Sequence, residues 1–358
     1  MSRTYDHGGN IFAVARTLGV PASEIIDFSA SINPLGISQA VKDTITESIN
    51  SLTHYPDSRN HQLKQALAAH HGITSENLAL ANGSTELIYN LPLLFSGKSA
   101  LIVSPTFSEY EHALEQHCCR TTHFILSPEN DFALDTVALK AALSPGYSAL
   151  YLCNPGNPSG RLYPQEIILE VAHICRDTGT FLVLDEAFMD FCEADSAKLM
   201  IVENSDSVIL RSMTKFYGFP GLRLGYAIGK PSVVERLEAM GGPWSVNTLA
   251  LEAGLAALGD KQHTEATIAC VTQERQWLME ELASIPGLKP YSSAANYILV
   301  EIKEGPAAAE LQKRLLTNGV LIRDCANFQE LTARFFRIAV RKREENLKLT
   351  ALLEQVLK

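Results

Sequence analysis

Several features that mark membrane, secreted or metal-binding proteins are missing from this sequence. Its longest apolar runs, such as the one around Phe181–Leu184, fall far short of the ~20 residues that a membrane-spanning helix needs. The first ten residues are polar and lack the apolar stretch of a secretion signal, so we expect a cytoplasmic protein with no membrane partner. The seven cysteines are an odd number and form no C-x-x-C pair, which argues against a disulfide framework and a zinc knuckle.

Basic tracts are also absent, and the formal net charge is −10. Because nucleic-acid backbones are bound by clustered lysine and arginine, we expect no nucleic-acid partner. There is no H-E-x-x-H motif, and we expect His70 and His71 at the surface of a helix, so no metal site is predicted. What remains is an ordinary globular composition, 46% hydrophobic and 20% charged over 358 residues, which is long enough for two domains.

From about Leu78 to Tyr226, short apolar runs alternate with stretches of helical spacing. The runs predict buried strands at Ser99–Val103, Ala149–Cys153, Phe181–Leu184, Val208–Leu210 and Leu224–Ala227. The helical stretches between them include Glu109–His117 and Gln165–Arg176. This alternation predicts an α/β fold with a mostly parallel sheet, helices on both faces, and ligands at the carboxyl ends of the strands.

The C-terminal part predicts a smaller α+β domain. Its predicted helices are Val246–Leu258, Glu265–Leu282 and Glu344–Leu357, and its predicted strands are Tyr297–Ile302 and Phe335–Val340. We therefore divide the chain into an N-terminal arm packing with the small domain (1–45), a large cofactor-binding domain (46–243) and a small C-terminal domain (244–358).

Three of the predicted strands lead into polar side chains that suit one cofactor. Asn157 follows the second strand, Asp185 ends the third, and Lys215 follows the fourth. A lysine amine forms a Schiff base once burial or a nearby cation lowers its pKa, and a carboxylate keeps a pyridine nitrogen protonated. An amide can donate to the ring oxygen, so this set predicts a pyridoxal-phosphate site.

The phosphate of that cofactor would need a cradle. Gly83, Ser84 and Thr85 open a helical stretch, which supplies backbone N–H groups, hydroxyls and the positive end of a helix dipole. Further candidates for the cradle are Ser212, Thr214 and Arg223. Phe107 follows a predicted strand and is placed to stack on the ring. Each feature alone is common in proteins, and their joint order along the chain carries the prediction.

A nucleotide hydrolase is a rival interpretation. Phe181–Glu186 resembles a Walker B strand, and Gly97-Lys98-Ser99 resembles the end of a phosphate-binding loop. That loop requires glycine five positions before Gly97, where this chain has Pro92, and it should follow a strand rather than a helical stretch. The pyridoxal-phosphate interpretation is therefore favoured.

Four segments, in order, carry a family resemblance: Asn157-Pro-Ser-Gly160, Asp185-Glu-Ala-Phe188, Ser212-Met-Thr-Lys215 and Gly221-Leu-Arg-Leu-Gly225. They resemble the cofactor motifs of the fold-type I pyridoxal-phosphate enzymes of the histidinol-phosphate aminotransferase subfamily, and the likeness covers nearly the whole chain. A narrower likeness, to the branch that decarboxylates L-threonine O-3-phosphate for cobalamin biosynthesis, rests on His7-Gly-Gly-Asn10, Asp27-Phe-Ser-Ala-Ser-Ile-Asn-Pro-Leu-Gly36, Thr214-Lys-Phe-Tyr-Gly-Phe-Pro-Gly221, Pro243-Trp-Ser-Val-Asn247 and Ile322-Arg-Asp-Cys-Ala-Asn327. The resemblance implies an aspartate aminotransferase-like fold with large and small domains.

The resemblance also implies roles for individual residues. Lys215 would be the Schiff-base lysine, Asp185 the partner of the pyridine nitrogen, and Asn157 the partner of the ring oxygen. Around the cofactor phosphate it implies Gly83, Ser84, Thr85, Ser212, Thr214 and Arg223, with Tyr55 reaching in from the other subunit of a homodimer. For the carboxylate and phosphate of a phosphorylated amino acid it implies His7, Gly8, Asn33, Asn157, Arg323 and Arg337.

One departure bears on the reaction. Transaminases of this type usually carry tyrosine at position 188, where this chain has Phe188, as the decarboxylases do. The resemblance therefore implies decarboxylation of L-threonine O-3-phosphate to (R)-1-aminopropan-2-ol O-phosphate and CO2. Three alternatives stay open: a histidinol-phosphate-type aminotransferase, a serine-phosphate decarboxylase, and a regulator that binds the cofactor without turnover. The angle between the breaking Cα bond and the ring would decide between the first alternative and decarboxylation.

Overall fold

A computed structural model describes residues 7–204 and 206–357 of the chain. Over these residues the α-helices are α1 (Ile11–Leu18), α2 (Gln39–Ser48), α3 (His61–His71), α4 (Ser84–Asn90), α5 (Glu109–Gln116), α6 (Thr136–Leu143), α7 (Gln165–Thr178), α8 (Lys198–Asn204), α9 (Met213–Phe216), α10 (Pro231–Met240), α11 (Thr248–Gly259), α12 (Lys261–Ser284), α13 (Ala308–Leu316) and α14 (Arg343–Leu357). The strands are β1 (Ile26–Asp27), β2 (Leu78–Ala81), β3 (Ser99–Ser104), β4 (Arg120–Ile125), β5 (Ala149–Cys153), β6 (Phe181–Asp185), β7 (Ser207–Ser212), β8 (Gly225–Gly229), β9 (Leu288–Pro290), β10 (Tyr297–Ile302), β11 (Val320–Leu321), β12 (Arg323–Asp324) and β13 (Phe335–Ala339).

The largest sheet has seven strands in the order β2-β8-β7-β6-β5-β3-β4. All of them run parallel except β8, which is antiparallel to both β2 and β7. The predicted α/β fold with a mostly parallel sheet is therefore confirmed. Strand β7 is longer than its apolar run predicted, because Arg211 and Ser212 continue the pairing with Tyr226 and Gly225 of β8.

Helices cover both faces of this sheet, and the strand sequences show why. Leu182 and Leu184 belong to one hydrophobic cluster, whereas Phe181 and Val183 belong to a second. Successive strand residues point to opposite faces, so a strand that is apolar at every position is stable only when both faces are covered. This explains why the buried strands of the chain read as continuous apolar runs.

The C-terminal part forms a four-stranded antiparallel sheet in the order β12-β13-β10-β9. The N-terminal segment joins it, since β1 pairs in parallel with β11, and Phe28 packs in the same hydrophobic cluster as Ile298 and Leu349. Helix α11 packs against α2 and α3. The division into residues 1–45, 46–243 and 244–358 stays a prediction. Within residues 7–204 and 206–357, no helix combines the length and apolar character that crossing a membrane requires.

The carboxyl ends of the parallel strands meet at one edge of the large sheet. Asn157 lies in the loop after β5, Asp185 is the last residue of β6, and Lys215 lies on α9, directly after β7. Gly83 comes two residues after β2 ends, immediately before α4. The shared direction of these strands therefore brings side chains from distant parts of the sequence to one place.

Candidate active site

A cavity of about 240 Å³ opens at this edge of the sheet. Most of the residues singled out from the sequence line it: His7, Gly8, Ser84, Thr85, Phe107, Asn157, Asp185, Ser212, Thr214, Lys215, Arg223, Arg323 and Arg337. These residues belong to the strands of the two sheets, to the loops and helices that follow the strands of the large sheet, and to the N-terminal segment. The cavity thus lies where the two sheets and the N-terminal residues meet.

Lys215 presents its amine to the cavity from the one-turn helix α9. Burial, together with the positive charges of Arg337 and Arg223, lowers the pKa of this amine from 10.5 to about 8, while Asp185 opposes the shift. An amine with this pKa spends an appreciable fraction of its time unprotonated at neutral pH. Lys215 is therefore suited to act as a nucleophile toward a carbonyl group.

Asp185 is held by two hydrogen bonds at the floor of the cavity. Its Oδ2 accepts from the hydroxyl of Tyr110 at 2.5 Å, and its Oδ1 accepts from the backbone N–H of Ala187 at 2.9 Å. Burial raises the pKa of Asp185, although both hydrogen bonds and Lys215 work to lower it. Burial also raises the pKa of Tyr110 far above its ordinary value, so this hydroxyl is a permanent donor. The two hydrogen bonds therefore hold the carboxylate in one orientation, in which it is suited to bind a cationic group.

An anion cradle lies beside the lysine. Ser84 and Thr85 stand in the first turn of α4, and the Ser212 and Thr214 hydroxyls lie 2.8 Å apart. Gly83 does not itself line the cavity, but a Cβ on it would lie 2.6 Å from Nη2 of Arg223, and its φ is +77°. Only glycine therefore lets the guanidinium approach the start of this helix. Hydroxyls, a helix N-terminus and a guanidinium together form a phosphate-binding arrangement.

Two arginines reach the cavity from the smaller sheet. Arg323 and Arg337 lie opposite each other on β12 and β13. Arg337 donates from Nη1 to Oδ1 of Asn157 and from Nη2 to the carbonyl oxygen of Ser29 at 3.3 Å. Burial lowers the pKa of the Arg337 guanidinium. Arg323 donates from Nη2 to Oδ1 of Asn327 at 2.8 Å. This pair of cations is suited to an anionic substrate.

Two of the singled-out residues lie elsewhere. The Asn33 amide donates to the carbonyl oxygen of Phe216 at 2.7 Å and to Oγ1 of Thr267 at 2.8 Å, so it ties its loop to neighbouring helices. Tyr55 is 80% exposed and stacks on Trp244, with 4.7 Å between the ring centroids. The functional roles predicted for both residues stay predictions.

Several cavity residues were not selected from the sequence. They are Ser29, Ala30, Ser31, Ile88, Tyr110, Cys153, Ala187 and Phe328. Tyr110 had a usable signal, because it lies in the first turn of the predicted helix Glu109–His117, only three residues after Phe107. Phe188, noted above for its missing hydroxyl, lines the cavity and packs edge-on against Tyr297 at 4.9 Å. For Phe328 the sequence offered no comparable signal, because this residue lies in a loop without regular helical or strand spacing.

Glu186, next to Asp185, lies outside the cavity. It is fully buried within 3.7 Å of Arg211, and burial raises the pKa of its carboxyl to about 7. Since Asp185 and Glu186 face different surroundings, they do not form the paired acidic site of a nucleotide hydrolase.

His71 was wrongly expected at the surface: it is buried, and its Nε2 lies 2.7 Å from the hydroxyl of Tyr226. Its neighbours are residues distant in sequence, which local helix spacing does not reveal. Among the residues that the structure describes, no cluster of three or more His, Cys, Asp or Glu side chains is arranged to hold a metal ion.

The sequence and the structure of this chain are similar to those of known proteins. A sequence model of the family "Aminotransferase class I and II" matches residues 23–352. The chain is 37% identical to a threonine-phosphate decarboxylase of Salmonella typhimurium, over 98% of this chain and 96% of that protein. Its structure is similar to that of the L-threonine-O-3-phosphate decarboxylase of Porphyromonas gingivalis, with a TM-score of 0.81, 27% identity, and coverage of 92% and 98% of the two chains. It is also similar to the histidinol-phosphate aminotransferase of Sinorhizobium meliloti in complex with pyridoxal-5'-phosphate, with a TM-score of 0.88, 25% identity, and coverage of 99% and 95%.

Proposed function

Because this chain belongs to the aminotransferase class I and II family, we propose that it decarboxylates L-threonine O-3-phosphate with pyridoxal phosphate as cofactor. The products are (R)-1-aminopropan-2-ol O-phosphate and CO2, a step of cobalamin biosynthesis. The assignment of threonine phosphate as the substrate rests on the 37% identity to a threonine-phosphate decarboxylase over 98% of the chain. The cavity supports the proposal independently, because it combines a lysine of lowered pKa with an anion cradle and two further arginines.

The residues present fit pyridoxal phosphate. Gly83 leaves room beside the Arg223 guanidinium that a Cβ would occupy, which keeps the cradle open for a phosphate. The residues that would hold the cofactor are Gly83, Ser84, Thr85, Phe107, Asn157, Asp185, Ser212, Thr214, Lys215 and Arg223. When bound, the cofactor's protonated ring withdraws electrons from the Cα of an attached amino acid.

Lys215 would act twice. With its pKa lowered to about 8, the amine is available to bond to the cofactor's aldehyde at neutral pH. After CO2 has left, the same amine is the group on this chain that would return a proton to Cα as a general acid. Both tasks need an amine that gains and loses its proton near neutral pH, and the burial of Lys215 among arginines favours this.

Asp185 and Tyr110 would fix the charge of the cofactor ring. In the structure, burial raises the pKa of Asp185, although the nearby positive charge of Lys215 works to lower it. A protonated pyridine nitrogen would supply an opposite charge at close range and lower that pKa again. The Tyr110 hydroxyl, bonded to Oδ2 at 2.5 Å, keeps the carboxylate in one orientation for this contact. Asp185 would therefore meet a protonated ring nitrogen as a pre-oriented anion.

The two anionic groups of the substrate would be held by His7, Gly8, Asn33, Asn157, Arg323 and Arg337. Holding both groups fixes the rotation about the bond between the substrate nitrogen and Cα, and this rotation decides which Cα bond breaks. Arg337 already donates to Asn157, so one hydrogen bond joins the arginine that would hold the substrate to the amide that would bond the ring oxygen. A shift in either residue would change the orientation of the substrate.

An aminotransferase acting on histidinol phosphate is the second candidate, favoured by the TM-score of 0.88 to a histidinol-phosphate aminotransferase. Phe188 argues against it, because its ring packs on Tyr297 and offers no hydroxyl to the cavity. Serine phosphate is a narrower alternative as substrate. It lacks one methyl group, and a hydrophobic contact of that size discriminates by only ~1–3 kcal/mol.

The test is to incubate the purified, cofactor-loaded protein with L-threonine O-3-phosphate and no 2-oxo acid, while CO2 and amine product are measured. Equal amounts of CO2 and aminopropanol phosphate are expected, with a lower kcat/KM for serine phosphate. Turnover only after histidinol phosphate and 2-oxoglutarate are added would instead establish the aminotransferase. Bound cofactor without turnover of any amine would point to a regulator.

We also propose a homodimer in which Tyr55 of each subunit reaches the cofactor phosphate of the other. The support is the exposure of Tyr55, 80% in the single chain, beside the half-exposed Trp244 on which it stacks. Contiguous exposed apolar side chains are a feature of protein–protein contact surfaces, and this pair would form part of such a surface. The cytoplasmic location stays a prediction from the sequence.

A further inference from the structure

A buried carboxylate beside the cavity has no role in the function proposed above. Glu109 lies in the first turn of α5, and only 5% of it is exposed. Its Oε1 lies 2.7 Å from Nε2 of His7 and 3.1 Å from Nδ1 of His112, and its Oε2 accepts from the hydroxyl of Tyr89. Buried carboxylates are costly unless they are paired, so this one requires an explanation.

The segment that carries His7 packs closely on Ser29, which also lines the cavity. A Cβ on Gly8 would lie 2.1 Å from the carbonyl oxygen of Ser29, so only glycine fits there. The backbone N–H of Gly9 donates to Oγ of Ser29 at 2.9 Å, and that hydroxyl donates to Asp27 at 2.6 Å. We name residues 7–10 the arm; this short segment is only a part of the N-terminal arm predicted over residues 1–45. The arm is thus anchored to the Asp27–Ser29 segment on one side and to Glu109 on the other.

The charge of Glu109 determines how the His7 ring is held. Burial works to raise the pKa of Glu109, but the hydrogen bonds from Tyr89, His112 and His7 outweigh it, so the pKa is lowered and the group is an anion at neutral pH. An anionic carboxylate only accepts hydrogen bonds, so the imidazole nitrogen 2.7 Å away must carry a proton. The contact therefore selects the protonation of Nε2 and the orientation of the ring. The ring lies against Phe107, with 5.4 Å between centroids, and lines the cavity.

We propose that Glu109 is a positioning residue that orients His7 and holds the arm against the cavity that His7 and Gly8 line, and so sets the affinity for the phosphorylated substrate. This inference rests on the proposed function and on the predicted substrate role of His7. Glu109 is not among the residues that line the cavity, so it acts through His7, which is. Its loss weakens substrate binding and leaves the cofactor chemistry of Lys215 and Asp185 intact.

The kinetic test uses the cofactor-loaded enzyme with Glu109→Ala, His7→Ala and the double variant. Loss of one hydrogen bond to a charged group raises KM about tenfold, with kcat changed by less than about twofold. Because both residues act through the same contact, Glu109→Ala has little further effect in the His7→Ala background. Glu109→Gln, which retains an accepting oxygen, recovers part of the lost affinity, and the absorbance spectrum of the bound cofactor stays unchanged.

Glu111→Ala is the matched control. Glu111 lies on the same helix and is also bonded to a histidine, with Oε1 3.1 Å from Nε2 of His123, but it does not contact the arm. Its replacement leaves KM for the substrate unchanged. Equal rises in KM for Glu111→Ala and Glu109→Ala, or additive effects of Glu109→Ala and His7→Ala, would overturn the proposal.

Hydrogen exchange of the arm gives a readout that does not depend on turnover. Amides of residues 7–12, including the Gly9 N–H bonded to Ser29, exchange faster in Glu109→Ala than in the wild type or Glu111→Ala. Unchanged exchange of the arm in Glu109→Ala refutes the proposal whatever the activity. A wild-type enzyme that fails to release CO2 from threonine phosphate refutes the proposed function instead, while the exchange experiment still decides whether Glu109 holds the arm.

Discussion

Replacing Lys215 with methionine should stabilise the cofactor-free protein, although it removes the residue on which the chemistry depends. The pKa of the buried amine falls from 10.5 to about 8, so holding it charged in the folded state costs roughly 3 kcal/mol. The cavity leaves one side of the amine open to water, which screens part of this cost. We therefore expect Lys215→Met to raise the free energy of unfolding at pH 7 by roughly 2 kcal/mol.

The sign of the pH dependence follows from the same values. The folded state releases its Lys215 proton at about pH 8, whereas the unfolded chain keeps it to 10.5, so wild-type stability rises with pH across this window. The advantage of Lys215→Met is therefore complete below pH 8 and falls to about a quarter by pH 10. For a chain of this length, 2 kcal/mol corresponds to a rise in Tm of about 3 °C at pH 7.

The assay is thermal unfolding of cofactor-free wild type and variants at pH 7 and pH 10. Lys215→Arg keeps a positive charge at both pH values and should have a lower Tm than Lys215→Met at each. Lys140→Met, at an exposed position on α6, should leave Tm unchanged. A Lys215→Met protein that is no more stable than the wild type at pH 7, or whose advantage is the same at pH 10, would refute the argument from burial.

Three further predictions concern the loaded enzyme. Asp185→Asn should lower kcat roughly 100-fold while cofactor stays bound, because the ring loses its charged partner; kcat and the bound-cofactor spectrum are measured together. Tyr110→Phe removes a hydrogen bond that lowers the pKa of Asp185, so the acid limb of the kcat profile should move to higher pH, and an unmoved limb would contradict this. Mixing inactive Tyr55→Ala and Lys215→Ala proteins should restore about a quarter of wild-type activity, because half of the dimers then contain one intact site; no recovery would argue against Tyr55 acting between subunits.

Much of the fold was predictable because strands that are buried along nearly their whole length have continuous apolar sequences. The runs Ala149–Cys153 and Tyr297–Ile302 coincide with observed strands. Edge strand β4 was missed, since its sequence is Arg-Thr-Thr-His-Phe-Ile and each of its residues is exposed or half-buried. A strand that pairs on one side and faces solvent carries too few apolar residues to be distinguished from a loop.

The sequence by itself determined that Asn157, Asp185 and Lys215 would come together, because each follows a strand of the same parallel sheet. It also indicated the cradle, since Gly83, Ser84 and Thr85 stand at a recognisable helix start. These inferences need only local spacing and the common direction of the strands.

Only the tertiary structure determined the hydrogen-bond partners and the pKa values of these groups. The hydrogen bond from Tyr110 to Asp185, the pairing of Arg337 with Asn157 and the contact of His7 with Glu109 join residues between 75 and 180 positions apart. The lowered pKa of Lys215 likewise depends on burial and on arginines that arrive from other elements. Such contacts depend on how sheets and loops pack in three dimensions, and electrostatic shifts depend on distances that no local pattern encodes.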